Sequence, residues 1–295
     1  MTSRRARSPA TGGGPRRQQP RPPPSPVVID SADSSSDHGA ESVVSVSSSS
    51  STDAPIATPA TSAPRRPLST VDGLPLETRI PLDPAVPTRG WIMRGRLDPG
   101  SGLELSRADG SPLRTLLALR PDAFGKVVMF GKLTDTPRYH LALGRDYAFT
   151  GVKHESAAYP PCVKELMDWA NARRHEWVAE APVPAEQRDA LPAFNSGLVN
   201  WYMDGTHYIG PHADDERNLH RCSPIFSYSV GQTRVFRIRD MRTGRSVRDV
   251  DLRSGEWLVM GGAMQQHYKH EVVKVNGAKG ARLGPRVNIT FRMMI

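Results

Sequence analysis

RVNITFR, residues 286–292, alternates along its whole length. Successive side chains of a strand point to opposite faces, so Val287, Ile289 and Phe291 share one side and Arg286, Asn288, Thr290 and Arg292 the other. With the apolar side packed into a sandwich, the polar side must look into a cavity or into solvent. Arg286 and Arg292 stand roughly 20 Å apart along such a strand, and each side chain spans about 6 Å. Two arms of this length turned inward leave a gap suited to a small dicarboxylate, which the planar guanidinium fork grips at two points. A solvated edge strand carrying surface charge fits the same letters equally well.

Working upstream, short β-prone runs follow one another: Leu198–Met203, Ile225–Val230, Arg234–Arg239, Val247–Leu252, Trp257–Met260 and Glu271–Val275. Gly, Asp, Ser and Arg-Thr-Gly turns separate them. Such a succession predicts a sandwich or jelly roll. Two helices precede it. Pro161–Arg173 has a proline near its start and an apolar face of Val163, Leu166, Met167, Trp169 and Ala170; Leu113–Phe124 is a second, weaker pattern. They are expected to pack outside the sheet, giving an α+β domain with a β core over residues 76–295. No internal repeat is visible.

Residues 1–75 are a different material, rich in Pro, Ser, Gly and Arg and devoid of aromatic residues. They cannot bury enough apolar area to offset their ordering entropy, so a disordered tail is expected. The tail holds 8 Lys/Arg against 6 Asp/Glu, and the remainder of the 295-residue chain 31 against 24, so most of the net charge of +9 falls on the folded part. That balance suits a polyanion. Two cysteines, Cys162 and Cys222, neither in a CxxC, argue against a zinc site or disulfide framework and fit a reducing, intracellular compartment. No apolar run of about 18 residues predicts a membrane span, and the Arg-rich N-terminus lacks the apolar stretch of a secretory signal. The domain is expected to act as a monomer.

His212-Ala213-Asp214 places a histidine and a carboxylate on one side of an extended segment. With a histidine from another strand they would form the two-His, one-carboxylate set that holds non-haem iron(II) and leaves positions open for O₂ and a co-substrate. A surface His–Asp pair gives the same letters and is commoner. His270 and His267 are both available as the third group. Asn200 and Tyr202 share a strand parity and can donate hydrogen bonds into one cavity; a plain polar strand face reads identically.

Taken in order, NWYMDGTHYIGPHADDERNL, SPIFSYSVGQTRVFRIRD, SGEWLVMGG, QQHYKHEVVK and PRVNITFR resemble the AlkB family of oxidative dealkylases, most closely its eukaryotic DNA-repair branch through HxDDE and SPI-x-S-x-S-x-G. The resemblance runs from about Phe130 to Arg292. It implies a double-stranded β-helix, a jelly roll supported by the N-terminal helices. It implies iron ligation by His212, Asp214 and His270, with Lys269 standing where the family often has an aromatic residue. It implies 2-oxoglutarate binding by Arg286 and Arg292, assisted by Asn200, Tyr202 and Asn288. Asp215 and Glu216 resemble the acidic pair of the base pocket, where carboxylates favour a base made cationic by ring methylation. VMFGK and YAFTG resemble two further elements: Tyr147 and Phe149 would line the pocket of the flipped base, and Phe130 with Lys132 would sit at a hairpin tip pressed into the duplex.

The activity so implied is removal of methyl groups of the 1-methyladenine and 3-methylcytosine type from DNA, with Fe(II), O₂ and 2-oxoglutarate as cofactors and co-substrate, and succinate and formaldehyde as products. An RNA demethylase, a protein hydroxylase and a catalytically silent nucleic-acid-binding module are the competing readings. Arg242 and Arg245, in MRTGRSVRD, would hold the opposite strand or belong to a solvated turn. In the tail, Val27–Asp30 followed by SADSSSD resembles a SUMO-interacting motif, against a reading as low-complexity sequence, and the Arg-rich pieces suit nuclear import.

Overall fold

The computed structural model describes residues 76–295 apart from 130, 150–151, 180–185, 187–190 and 221–222. The expectations for the tail, including Val27–Asp30, and for Phe130 and Cys222 therefore lie outside the described residues. No described helix is long and apolar enough to cross a membrane.

In chain order the first strands are β1 (Ile80–Pro81), β2 (Trp91–Arg96), β3 (Lys126–Met129), β4 (Lys132–Asp135), β5 (Tyr139–Leu143), β6 (Tyr147–Phe149) and β7 (Val152–His154). They are followed by β8 (Ser196–Tyr202), β9 (Ile209–His212), β10 (Ile225–Gly231), β11 (Arg234–Asp240), β12 (Ser246–Leu252), β13 (Glu256–Gly261), β14 (Tyr268–Val272) and β15 (Arg286–Arg292). The described α-helices are α1 (Ser111–Ala118), α2 (Pro161–Val178), α3 (Met264–His267) and α4 (Gly277–Ala281). A seven-stranded sheet runs β1-β2-β13-β10-β15-β8-β5, and a four-stranded sheet β12-β11-β14-β9. Every pairing within the two is antiparallel. Hairpins β3–β4 and β6–β7 stand apart from them.

The larger sheet buries both faces, each against a different partner. Val287, Ile289 and Phe291 of β15 join Phe226, Tyr228, Val199, Trp201 and Trp257 in a core shared with Val163, Leu166, Met167 and Trp177 of α2. Trp177 stacks on Phe226 at 5.4 Å and 9°, and Phe226 on Phe291 at 5.8 Å and 9°. Burying a large side chain of this kind contributes about 1.5–3 kcal/mol. The opposite face meets the smaller sheet through Ile92, Ile225, Leu258 and Met260 against Phe236, Ile238, Val250 and Leu252. The apolar side of β15 thus faces out toward the helix, and its polar side faces into the sandwich. The alternation and the inward turn of the polar side hold, whereas the apolar side packs on the helical layer rather than into the sandwich. The reason is that the helical layer offers β15 an apolar partner, which leaves the inter-sheet space at this point free to be polar.

Element bounds also shift. Helix α1 stops at Ala118 rather than Phe124, as expected with Pro121 close by, since a proline disfavours helix in the residue before it. Helix α2 runs on from Arg173 to Val178 because Trp177 and Val178 continue its buried face. Strand β14 begins at Tyr268 and ends at Val272, three residues ahead of the expected Glu271–Val275. Its register is set by pairing on both sides, with Ile238 opposite His270 on β11 and His212 opposite His270 on β9.

Candidate active site

That cross-strand pair is where the site begins. His212 ends β9 and His270 lies in β14 directly opposite, so the rings come to 4.3 Å between centroids. Asp214, two residues past β9, adds its carboxylate: Oδ1 is 3.8 Å from His212 Nε2 and Oδ2 is 4.0 Å from His270 Nε2. One donor atom from each residue lies within 4.8 Å of the others, and this is the group among the described residues that can hold a metal ion. His267 lies on α3 outside the group, which leaves His270 as the third member.

Three observations fit a cation at this point. Oδ2 of Asp214 is buried without a hydrogen-bond partner. His212 donates from Nδ1 to Gly210 O at 2.9 Å, which leaves the Nε2 lone pair for a metal. Burial, with neighbouring His212, pushes the His270 imidazole down to about 3, so it stays neutral as a ligand must. Burial also lowers His212. For Asp214 burial acts the other way, yet the charges of Arg292, His270 and His212 hold the carboxyl below its ordinary value. The His270 ring packs on Phe236 at 5.3 Å and 27°.

The triad lines one side of a cavity of about 40 Å³, walled by both sheets. Register explains its lining. Asn288 sits opposite Asn200 on β8 and Ser229 on β10, and Arg286 opposite Tyr202. The inward parity expected for Asn200, Tyr202, Arg286, Asn288 and Arg292 therefore holds, and all five line the cavity with the triad.

The two arginines differ. Arg292 donates from Nη2 to Asp214 Oδ1 at 2.8 Å, so it grips the carboxylate of the His–Asp–His group. Arg286 is 1% exposed and donates to Ser229 Oγ at 2.9 Å, while its Nε and Nη1 have no partner. Its guanidinium lies 5.3 Å from the Tyr202 ring, and burial, little offset by Tyr202, pushes it down to about 10. A buried cation facing a polar cavity with donors unused is a carboxylate site in waiting. Asn288 spends both amide hydrogens on Ser227 Oγ and Tyr228 O, so it braces the wall.

A second cavity, about 390 Å³, adjoins the first across Asp214 and Met260, which line both. Asp215 and Glu216 line it, together with Met241 and Gln265. Lys132 opens β4, whose four residues are exposed, and Arg242 and Arg245 lie on the exposed β11–β12 turn. Tyr147 and Phe149 fall at the ends of β6; their side chains lie outside what the structure describes. Lys269 is exposed, so no core contact depends on an aromatic ring there. Two residues escaped the sequence reading. Arg138, buried in the wall of the same cavity as Asn200, donates from Nε to Asn200 Oδ1 at 2.7 Å. Gln265 accepts from the Asp214 N–H at 2.9 Å. Neither carries a periodicity or spacing by which it could have been found.

Residues 123–292 match the sequence model of the 2OG-Fe(II) oxygenase superfamily. Among curated proteins, DNA oxidative demethylase ALKBH2 of Mus musculus is 33% identical over 183 residues, covering 59% of this chain and 68% of that protein. The ALKBH2 of Homo sapiens is 31% identical over the same length, with 59% and 62% covered. Alpha-ketoglutarate-dependent dioxygenase alkB homolog 3 of Mus musculus is 36% identical over 107 residues, 34% of this chain and 36% of that one. This chain thus spans about two thirds of the ALKBH2 proteins and about a third of the homolog 3 protein. With the His–Asp–His group and an arginine-lined cavity beside it, these likenesses place the chain in the AlkB family of Fe(II)- and 2-oxoglutarate-dependent dioxygenases.

Proposed function

We propose that this dioxygenase demethylates N-alkylated bases of the 1-methyladenine and 3-methylcytosine type in DNA, releasing formaldehyde as 2-oxoglutarate becomes succinate, and that it does so in the nucleus. The observation that carries this reading is the position of Asp214 in the wall between two cavities, one lined by Arg286 and the other by Asp215 and Glu216. Two relatives named as DNA oxidative demethylases support it.

His212, Asp214 and His270 hold the iron, and Arg286 takes a carboxylate of 2-oxoglutarate in a charge-assisted hydrogen bond. Asn200, whose Oδ1 is occupied by Arg138, keeps its amide hydrogens for the same ligand. Arg292 holds Oδ1 of the Asp214 carboxylate and leaves Oδ2 free to take a cation. Iron(II), once bound with 2-oxoglutarate and O₂, supplies oxidation of an N-methyl C–H bond, after which the methyl carbon departs as formaldehyde. Asp215 and Glu216 favour the damaged base because ring methylation makes it cationic, whereas the normal base is neutral. The β3–β4 hairpin, with Lys132 exposed on it, serves to open a duplex, a cost of a few kcal/mol per unstacked step.

The test is formaldehyde release from one methylated sequence offered as single-stranded DNA, duplex DNA and RNA. Release from both DNA forms, with RNA slower, is the expected result. Turnover of RNA alone would make the RNA-demethylase reading the correct one, and release from none would leave a binding module.

A further inference from the structure

Asp214 is the one member of the triad that lies outside a strand, two residues past the end of β9. His212 and His270 are held by the ladder they share. The main chain at Asp214 has no such partner in the sheet, and its N–H donates instead to the Gln265 side chain, Oε1, at 2.9 Å. An N–H can be met only by an acceptor, so this contact fixes which end of the amide faces Asp214. The other end, Nε2, is directed at Met260 Sδ on β13 at 3.8 Å.

Gln265 is itself firmly seated. It is the second residue of α3, between fully buried Met264 and the buried Tyr268 that opens β14. Met264 sits in the inter-sheet core, so close to Gly90 that a Cβ at Gly90 would come within 2.9 Å of the Met264 Cα. Five residues later the same segment delivers His270. Gln265 therefore joins the loop that carries the carboxylate to the segment that carries the second histidine.

We propose that Gln265 is a positioning residue for the metal centre. It fixes the main chain of Asp214 while Arg292 fixes the carboxylate, and the two bonds together set Oδ2 toward His270. The inference rests on His212, Asp214 and His270 being the iron ligands. Loss of a group that orients a ligand typically lowers metal affinity 10–100-fold without removing any ligand.

Two substitutions separate this role from simple packing. Gln265→Met keeps length and volume and removes the acceptor; Gln265→Glu keeps the acceptor. Both are compared with the full-length wild type by anaerobic Fe(II) titration, and by the charge-transfer absorption of the Fe(II)–2-oxoglutarate complex. Gln265→Met should bind Fe(II) about 10–100-fold more weakly and shift the absorption, with Gln265→Glu within about threefold of wild type. The melting temperature without metal should change little in either. Wild-type affinity in Gln265→Met, or an equal loss in both variants, overturns the proposal. Asp214→Asn serves as the control: if it too binds Fe(II) like wild type, the ligand assignment itself has failed.

Discussion

Arg286→Met should raise the KM for 2-oxoglutarate about 100-fold, the loss of about 2.7 kcal/mol expected for one or two charge-assisted hydrogen bonds. It should do so without destabilising the protein. Arg286 is 1% exposed, and among the described residues no carboxylate stands within ion-pair distance of it. Replacing a buried, uncompensated cation by an apolar side chain of similar length is neutral or stabilising. The wild-type protein should in turn melt at a higher temperature when 2-oxoglutarate is added, since a ligand that binds only the folded state stabilises it. In Arg286→Met that shift should vanish. A variant that melts lower while keeping its KM would show that Arg286 is a structural residue and that the co-substrate binds elsewhere.

Asp214→Ala should fail in two ways at once. Fe(II) binding should fall by more than ~100-fold, beyond the range seen when only an orienting partner of a ligand is lost. The fold should also weaken by about 3–5 kcal/mol, because Arg292 loses its buried carboxylate partner. Asp214→Asn keeps an oxygen for Arg292 and should recover much of the stability but little of the metal binding. Thermal melts and succinate production distinguish these outcomes. Succinate made by either variant at the wild-type rate would remove Asp214 from the metal site.

The unequal legibility of the site has a physical basis. Residues on regular strands could be read because parity is a property of the sequence: Asn200 with Tyr202, and Arg286 with Asn288 and Arg292, do share a cavity. The direction that parity points could not be read, since it depends on which layer covers the other face. Only the packing of α2 against Phe226 and Phe291 shows that the apolar side of β15 faces outward. Strand β9, IGPH, was hidden by its glycine and proline, although it carries His212. Strand β2, WIMRGR, is buried between β1 and β13 and has no alternation to betray it, with Arg94 ion-paired to Glu256 at 3.4 Å. Arg138 and Gln265 reach residues 62 and 51 positions away by hydrogen bonds, a kind of contact that no local pattern records.

Among all these expectations, one measurement bears most directly on what the two adjoining cavities do. In a reaction with single-stranded DNA carrying 3-methylcytosine, formaldehyde and succinate are counted together, with the unmethylated strand run alongside. One formaldehyde should appear for each succinate formed above the unmethylated background, and Fe(II) omission should stop both. Succinate formed at the same rate with either strand and no formaldehyde would contradict the account, because it would mean that the cavity beside Asp214 does not receive a methylated base.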